Sequence, residues 1–317
     1  MNINNVDFLS IRFLMQHKDC SLTDEDIKLR YNLKICKKCD WLIYNKRIIN
    51  LTNTNNPKNV CLNKTASLGG LEIMFPFFIN QVLPLIKNKF NLIITSSDQT
   101  FPYSTDLRYK KTPNINILLN ILYNNSYLNK IFVENLDTIH PKCVPIPIGA
   151  IKNICKKFDF DMIPYNSLRN INVFCCHRKR PQMQFKDRDI VSNLCLNEWK
   201  KFVHHADNLS QEEFFKNMLQ SKFTICVHGG GIDPCPKAFE AMICGSIPII
   251  QHSTMDAVWE KFPVVLVDNW HKDSITEQKL NRWYNKLKNR YIDVDKRKEC
   301  IEMMTMDYWW NIIDKSF

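Results

Sequence analysis

Glycine and long apolar runs are both scarce in this chain. Seven glycines occur among 317 residues, and four of them fall between residues 229 and 245. No segment approaches the ~20 consecutive apolar residues that span a bilayer. Near the start, Asp7 stands where a secretory signal would be basic, and Arg12 interrupts the apolar run. These absences exclude a membrane-spanning helix and predict a soluble protein in the cytoplasm.

Acidic residues are fewer than basic ones, 32 against 43, which gives a formal net charge of +11. A basic surface favours polyanions or phosphorylated substrates. The lysines are scattered rather than arranged in a stripe, which disfavours a specific nucleic-acid interface. The 13 cysteines follow no pattern of a secreted disulfide scaffold and are expected to be reduced thiols. The alternative is a zinc site formed by Cys20, Cys36, Cys39 and Cys61.

The order of predicted elements indicates two α/β domains. Residues 1–65 are hard to interpret, whereas helices and strands alternate from residue 71 to residue 149. They begin with a helix over 71–90 that Pro76 and Pro84 either kink or split. A charged, irregular stretch at 150–169 separates them from a second series of strands and helices. We therefore expect an N-terminal, acceptor-side domain at 1–165 and a donor-binding domain with a C-terminal helix at 166–317. Both are expected to be Rossmann-like, facing a cleft.

The glycine-rich segment after the strand at 222–227 is the most informative part of the sequence. Gly229, Gly230 and Gly231 precede a helix predicted over 234–244, for which Asp233 is the expected N-cap. A glycine loop that leads into a helix N-terminus presents backbone N–H groups and the positive end of the helix dipole. The segment therefore predicts a site for an anion such as a diphosphate.

Two charged residues of that helix, Lys237 and Glu240, lie three positions apart and share one face. The lysine is suited to a phosphate, and the carboxylate to the hydroxyls of a ribose. The alternative is an exposed ion pair that contributes little to stability.

Residues 221–270 resemble the donor-nucleotide half of exostosin-like glycosyltransferases of the GT-B type. The matching positions are Ser221, Phe223, Gly229, Gly231, Asp233, Lys237, Glu240-Ala241, Gly245-Ser-Ile-Pro-Ile249 and His252-Ser-Thr254. The resemblance implies transfer of a hexose or pentose from a nucleotide sugar, UDP- or GDP-linked, with inversion. Lys237 stands where the family often has arginine. The family's animal members are membrane-anchored, so a cytosolic giant-virus or algal relative fits this chain better.

The remaining candidates complete the expected site. Asp98 and then Glu134, each directly after a predicted strand, are the candidate catalytic bases, although either fits a turn or cap equally well. For the donor we expect contacts from the residues that follow other predicted strands, namely Arg178, Arg188, His228, His252, Ser253 and Thr254. Lys179 and Arg180 extend the basic cluster around Arg178, which is otherwise a solvated loop.

The sequence thus predicts a glycosyltransferase that acts on a nucleotide sugar and a glycan or protein acceptor. Neither a metal nor a cofactor is expected, because no Asp-x-Asp pair is placed to hold a metal on the diphosphate. The competing interpretation is a nucleotide- or sugar-binding module that keeps the same fold without catalysis.

Overall fold

Two mainly parallel β-sheets organise the chain. The computed structural model describes residues 38–65, 69–150, 169–178, 186–234 and 236–317. Within these residues there are two compact units: the first comprises residues up to 148 together with Met306–Phe317, and the second comprises residues 149–305. The expected α/β class with two parallel-sheet domains is confirmed.

The first unit contains a six-stranded sheet in the order β2-β1-β3-β4-β5-β6, in which β1 and β2 are antiparallel and the other neighbours are parallel. Its elements up to residue 148 are β1 (Trp41–Tyr44), β2 (Arg47–Asn50), β3 (Asn59–Asn63), α1 (Gly70–Phe77), β4 (Phe90–Thr95), α2 (Ile115–Tyr123), β5 (Leu128–Val133) and β6 (Cys143–Pro145). Every residue of β3 and β4 is buried. Strands buried on both faces are typical of the centre of a parallel sheet.

The helix expected over residues 71–90 is split before β4, which is one of the two outcomes that its prolines allowed. After α1 the chain continues as a π-helical turn, Phe78–Val82, and a 3₁₀ turn, Leu83–Leu85. Pro84 lies inside the 3₁₀ turn, and a proline cannot donate the hydrogen bond that a regular α-helix would need there. The helix therefore ends before β4.

The second unit contains a five-stranded parallel sheet in the order β11-β10-β9-β7-β8. Its elements are β7 (Ile171–Cys176), α3 (Lys186–Leu196), β8 (Val203–Ala206), α4 (Gln211–Leu219), β9 (Ser221–Ile225), α5 (Pro236–Ile243), β10 (Ile247–Gln251), α6 (Asp256–Trp259), β11 (Val265–Val267), α7 (Glu277–Leu287), α8 (Asn289–Ile292) and α9 (Val294–Glu302). Strands and helices alternate, as a parallel sheet with crossover connections requires.

The last helix, α10 (Met306–Asp314), belongs to the first unit, although the sequence reasoning assigned the whole C-terminus to the second domain. Asn91 of β4 donates from its amide to the carbonyl of Ile313, 3.2 Å away, and to Ser316 Oγ, 3.0 Å away. The amide of Asn129 donates to the carbonyl of Ser316 at 2.8 Å. These polar contacts join the end of the chain to β4 and β5.

Candidate functional site

The site in the second unit lies where its strand order reverses. From β7 the chain passes through α3 to β8 on one side, and then through α4 to β9 on the other side of β7. The carboxyl ends of β7 and β9 therefore border a crevice, the position at which open α/β sheets bind ligands. The residues after β7 start at His177, and those after β9 lead to the three glycines.

Lys237 reaches across this switch point. It lies in α5, which follows β9, yet its ammonium donates a hydrogen bond to the carbonyl of Cys176, the last residue of β7. A lysine ammonium has three donors. Lys237 thus places a positive charge between the two strand ends and keeps further donors for an anion there.

Glu240 is buried one turn further along α5. Its side chain is 5% exposed, and Oε1 has no hydrogen-bond partner within the part of the chain that the structure describes. Burial raises the pKa of Glu240 to about 7, and the nearby Lys237 opposes the shift. The exposed ion pair that was the alternative interpretation is inconsistent with this burial. An unsatisfied buried acceptor is rare in folded proteins and calls for a donor.

Arg188 joins the two loops at the switch point. From α3, its Nε donates to the carbonyl of His228 at 3.3 Å, and its Nη1 donates to the carbonyl of Arg178 at 3.0 Å. The guanidinium therefore contacts both the loop after β7 and the loop after β9. Lys179 and Arg180 lie outside the described residues.

His228 supplies a neutral imidazole next to the glycines. Burial lowers its pKa, although Asp187, Asp256 and a hydrogen bond with the backbone of Gln251 favour the charged form. Its Nε2 has no hydrogen-bond partner among the residues that the structure describes. The ring is therefore suited to hydrogen bonding with a ligand rather than to neutralising its charge.

The glycine loop departs from expectation in one respect. Helix α5 begins at Pro236 rather than at residue 234, and Asp233, which is buried, lies three residues before this first helical position. Pro236 suits the first position because its missing N–H would have no helical partner there. Gly229 and Gly230 are buried and Gly231 is half-buried, which keeps the loop close to the sheet.

At the other end of α5, two arginines that the sequence reasoning missed fix its position. Arg297 donates to the carbonyl of Ile243 at 2.6 Å, and Arg169 donates to the carbonyl of Cys244 at 2.9 Å. Burial lowers the pKa of Arg169 to about 10, and Arg297 adds to the shift. Gly245 has φ +74°, and a Cβ there would lie 2.5 Å from Arg169 Nη2. Both cations lie at the negative end of the helix dipole.

His252, Ser253 and Thr254 follow β10, the neighbour of β9. His252 Nδ1 lies 2.6 Å from Asp256 Oδ2, and the backbone N–H of Ser253 donates to Asp256 Oδ1 at 2.8 Å. These contacts shape the turn into α6. His252 is the more accessible group, with a side chain 41% exposed.

In the first unit, Asp98 and Glu134 follow the neighbouring parallel strands β4 and β5 and lie at the same edge of the sheet. Asp98 is 19% exposed and pairs with Arg108 at 3.3 Å. Glu134 is fully buried, and its Oε1 accepts a hydrogen bond from the backbone N–H of Ser97 at 2.8 Å. Of the two, Asp98 is the carboxylate that solvent reaches.

Lys64 is a further residue of this edge that the sequence reasoning did not single out. It directly follows β3 and is fully buried. Its ammonium donates to the carbonyl of Gln99 and, at 2.8 Å, to that of Glu134. Nearby Ser96 has φ +83°, a strained value for a residue with a side chain. The sequence feature that could have identified Lys64 is a lysine placed directly after an apolar strand.

The zinc alternative falls partly outside the described residues. Cys20 and Cys36 are not described, and Cys39 and Cys61 are buried. Among the described residues, no group of three or more His, Cys, Asp or Glu side chains is arranged to hold a metal ion. Nor does any described helix have the length and apolar character needed to cross a membrane.

Comparisons with known proteins add a weak structural likeness. No protein-family model matches the chain, and no curated protein matches it. The solved structure of the spinosyn rhamnosyltransferase SpnG, complexed with thymidine diphosphate, is similar with a TM-score of 0.34 and 9% sequence identity. The match covers 80% of this chain and 70% of that chain. A likeness at this level carries no argument about function, which rests on the residues described above.

Proposed function

We propose that the protein is a nucleotide-sugar glycosyltransferase whose donor binds at the β7/β9 switch point. The observation that carries the proposal is the buried Glu240, whose Oε1 has no partner among the described residues and which lies one turn from Lys237. A cation and a hydrogen-bond acceptor in this order match the diphosphate and the ribose of a nucleoside diphosphate. The sequence resemblance to exostosin-like GT-B enzymes supports the same assignment.

In the proposed reaction, the backbone N–H groups of residues 229–237 and the cations Lys237 and Arg188 bind the diphosphate. They stabilise the charge that develops when the bond between the sugar's anomeric carbon and the phosphate oxygen breaks. Glu240 accepts hydrogen bonds from the ribose. The acceptor hydroxyl attacks the anomeric carbon with inversion and loses its proton to a carboxylate, with Asp98 preferred over Glu134.

The proposal also covers the donor, the acceptor, the need for a metal and the place of action. The donor is UDP- or GDP-linked and carries a hexose or pentose, and the acceptor is a glycan or a protein. The reaction needs no metal or cofactor, and the protein acts in the cytoplasm. A module that binds the donor without turnover is the competing function, and it would keep Lys237 and Glu240 in the same roles.

Binding and release assays test the proposal. We expect UDP or GDP to raise the melting temperature and a matching nucleotide sugar to yield free nucleoside diphosphate when an acceptor is present. Lys237→Met should weaken binding of the diphosphate about tenfold or more, since a charged hydrogen bond contributes about 1.5–3 kcal/mol. Lys216→Met, at an exposed lysine of the same unit, is the matched control and should have no effect.

The ribose contact has its own test. In the wild type, 2′-deoxy-UDP or 2′-deoxy-GDP should bind more weakly than the ribonucleotide, and in Glu240→Gln this difference should shrink or disappear. Stabilisation by the nucleotide sugar without turnover on any acceptor would favour the binding module. The absence of any response to nucleoside diphosphates would refute the donor site itself.

A further inference from the structure

A cavity lies at the carboxyl end of β11, at the edge of the second sheet. Its volume is about 390 Å³, and its lining includes Asp268 and Asn269 after the strand and Arg282 and Trp283 from α7. Ligand sites for small molecules usually measure about 300–1,000 Å³. Strands β9 and β11 are separated by β10, so the cavity is about 10 Å or more from the switch point. It lies outside the switch point but beside the turn after β10, because Asp268 Oδ1 is 3.9 Å from Nε2 of His252, a residue expected to contact the donor.

The lining combines one aromatic ring with several planar or hydroxyl-bearing polar groups. Trp283 is half-buried and offers an apolar surface, whereas Arg282 and Asp268 are exposed. Asn269, His271 and Ser274 add amide, imidazole and hydroxyl groups. A pyranose ring has an apolar face of C–H groups and a rim of hydroxyls that both donate and accept hydrogen bonds. Aromatic rings with polar tips and planar side chains with paired hydrogen-bonding atoms suit such a ligand.

Charge argues for a neutral ligand. Asp268 and Asp273 balance Lys279 and Arg282, although the whole chain has a net charge of +11. The ammonium of Lys279 donates to the backbone carbonyls of Asp273 and Ser274. A phosphate or carboxylate ligand would instead require an excess of available cations.

The loop that forms one wall is held by its own hydrogen bonds. Ser274 Oγ accepts from the backbone N–H of His271 at 2.9 Å and donates to Asn269 Oδ1 at 3.2 Å. Thr276 caps α7 by accepting from the backbone N–H of Lys279. A wall that is already ordered reduces the entropy that a ligand must overcome on binding.

We propose that this cavity binds a neutral pyranose unit of a glycan, with Trp283 stacking on the sugar ring and Asp268 and Arg282 contacting its hydroxyls. The site lies outside the switch point and binds the glycan without a nucleotide. It would hold part of a glycan chain away from any reacting group.

Saturation-transfer NMR on the full chain tests this proposal with maltose, cellobiose, lactose and N,N′-diacetylchitobiose, with glucose 6-phosphate as the anionic comparator. At least one neutral disaccharide should bind with a millimolar dissociation constant. Trp283→Ala should weaken that binding tenfold or more. Trp310→Ala, at a half-buried tryptophan of the first unit, should leave it unchanged. Asp268→Ala, at a side chain 96% exposed, should also weaken it and tests the site if Trp283→Ala does not fold.

Three results would overturn the inference. These are no binding of any neutral disaccharide, binding of glucose 6-phosphate in preference to them, or disaccharide binding that neither Trp283→Ala nor Asp268→Ala weakens. UDP and GDP binding, measured on the same samples, separates this outcome from a failure of the donor site. The Trp283 variant should leave nucleotide binding unchanged.

Discussion

At the residue scale, the most consequential feature is a carboxyl group buried without a partner among the described residues. The sequence alone predicts that Glu240 and Lys237 lie together, because positions three apart share a helix face. Spacing alone does not show that the lysine donates to Cys176 across the sheet, or that Glu240 is 5% exposed. Those facts depend on how α5 packs, and they favour a ligand over a surface ion pair.

Glu240 should make stability depend on pH. Its pKa is raised from 4.5 to about 7, so between these values the folded state binds more protons than the unfolded state and stability falls as pH rises. The penalty is complete above about pH 7 and amounts to about 3 kcal/mol at most. Glu240→Gln should therefore gain stability relative to the wild type as pH increases from about 5 to about 8. Urea unfolding at several pH values measures the difference, and a difference independent of pH would contradict the prediction.

The two carboxylates of the first unit should behave differently. If Asp98 is the base, Asp98→Asn should lower the transfer rate about 10²–10⁴-fold with nucleotide binding unchanged. Glu134→Gln keeps an oxygen that can accept from the N–H of Ser97, as the native side chain does at 2.8 Å, and should retain most of the rate. Steady-state kinetics on both variants distinguish the roles. The reverse pattern would assign the proton transfer to Glu134.

At the scale of single elements, α5 is fixed at its C-terminus more firmly than its sequence indicates. Gly245 follows the helix in a left-handed conformation, with its N–H donating to Met242 and the next N–H donating to Ala241, as in a Schellman motif. The glycine could be predicted from the sequence. The arginines that contact the last carbonyls come from residues 169 and 297, which lie far from α5 in sequence.

Loss of one of these cations should destabilise the second unit. Arg297 is 3% exposed and donates to the carbonyl of Ile243, so Arg297→Met should cost about 1.5–3 kcal/mol. Lys298→Met, at an exposed neighbour in α9, is the control and should change stability by no more than about 0.5 kcal/mol. Chemical denaturation compares the two variants. Equal effects would show that the contact at the helix end is unimportant.

The helix N-caps show how well local sequence spacing predicts which residue begins a helix. Ser274 and Glu277 have the spacing of a capping box, but Thr276 is the N-cap of α7 and accepts from the backbone N–H of Lys279. A complete capping box is present instead at Ser210 and Glu213, which start α4. The spacing is the same in both places, and the direction of the preceding backbone decides which residue can reach the free N–H groups.

At the scale of the whole molecule, the chain contributes to the first unit twice. Its final helix, α10, buries Trp309 and Ile313 in that unit after the second unit is complete. No pattern within residues 306–317 could indicate which core the helix completes. An amphipathic helix buries its apolar face against any apolar surface that the fold brings near.

Removal of the Trp309 side chain from α10 should destabilise the first unit only. Trp309 is 1% exposed, so Trp309→Ala should cost about 3–5 kcal/mol. Hydrogen exchange should accelerate in peptides from β4 and β5, and peptides from β9 should be unchanged, because each unit has its own core. Trp310→Ala, at the half-buried neighbour, is the control. Uniform acceleration in both units would contradict this division.

The sequence determined the α/β class, strands β4, β5, β7, β9 and β10, and helices α2 and α4, because the spacing of apolar residues and the turn residues act locally. It missed β3 and β8, and also β1 and β2, whose turn places Asn45 and Lys46 at positive φ without a glycine to mark it. The glycine loop, Lys237 and Glu240 could also be identified as a unit. Only the tertiary structure decided the strand order, which brings Cys176 and Lys237 together, and the burial that raises the pKa of Glu240. Both depend on contacts between residues distant in sequence, which no local pattern encodes.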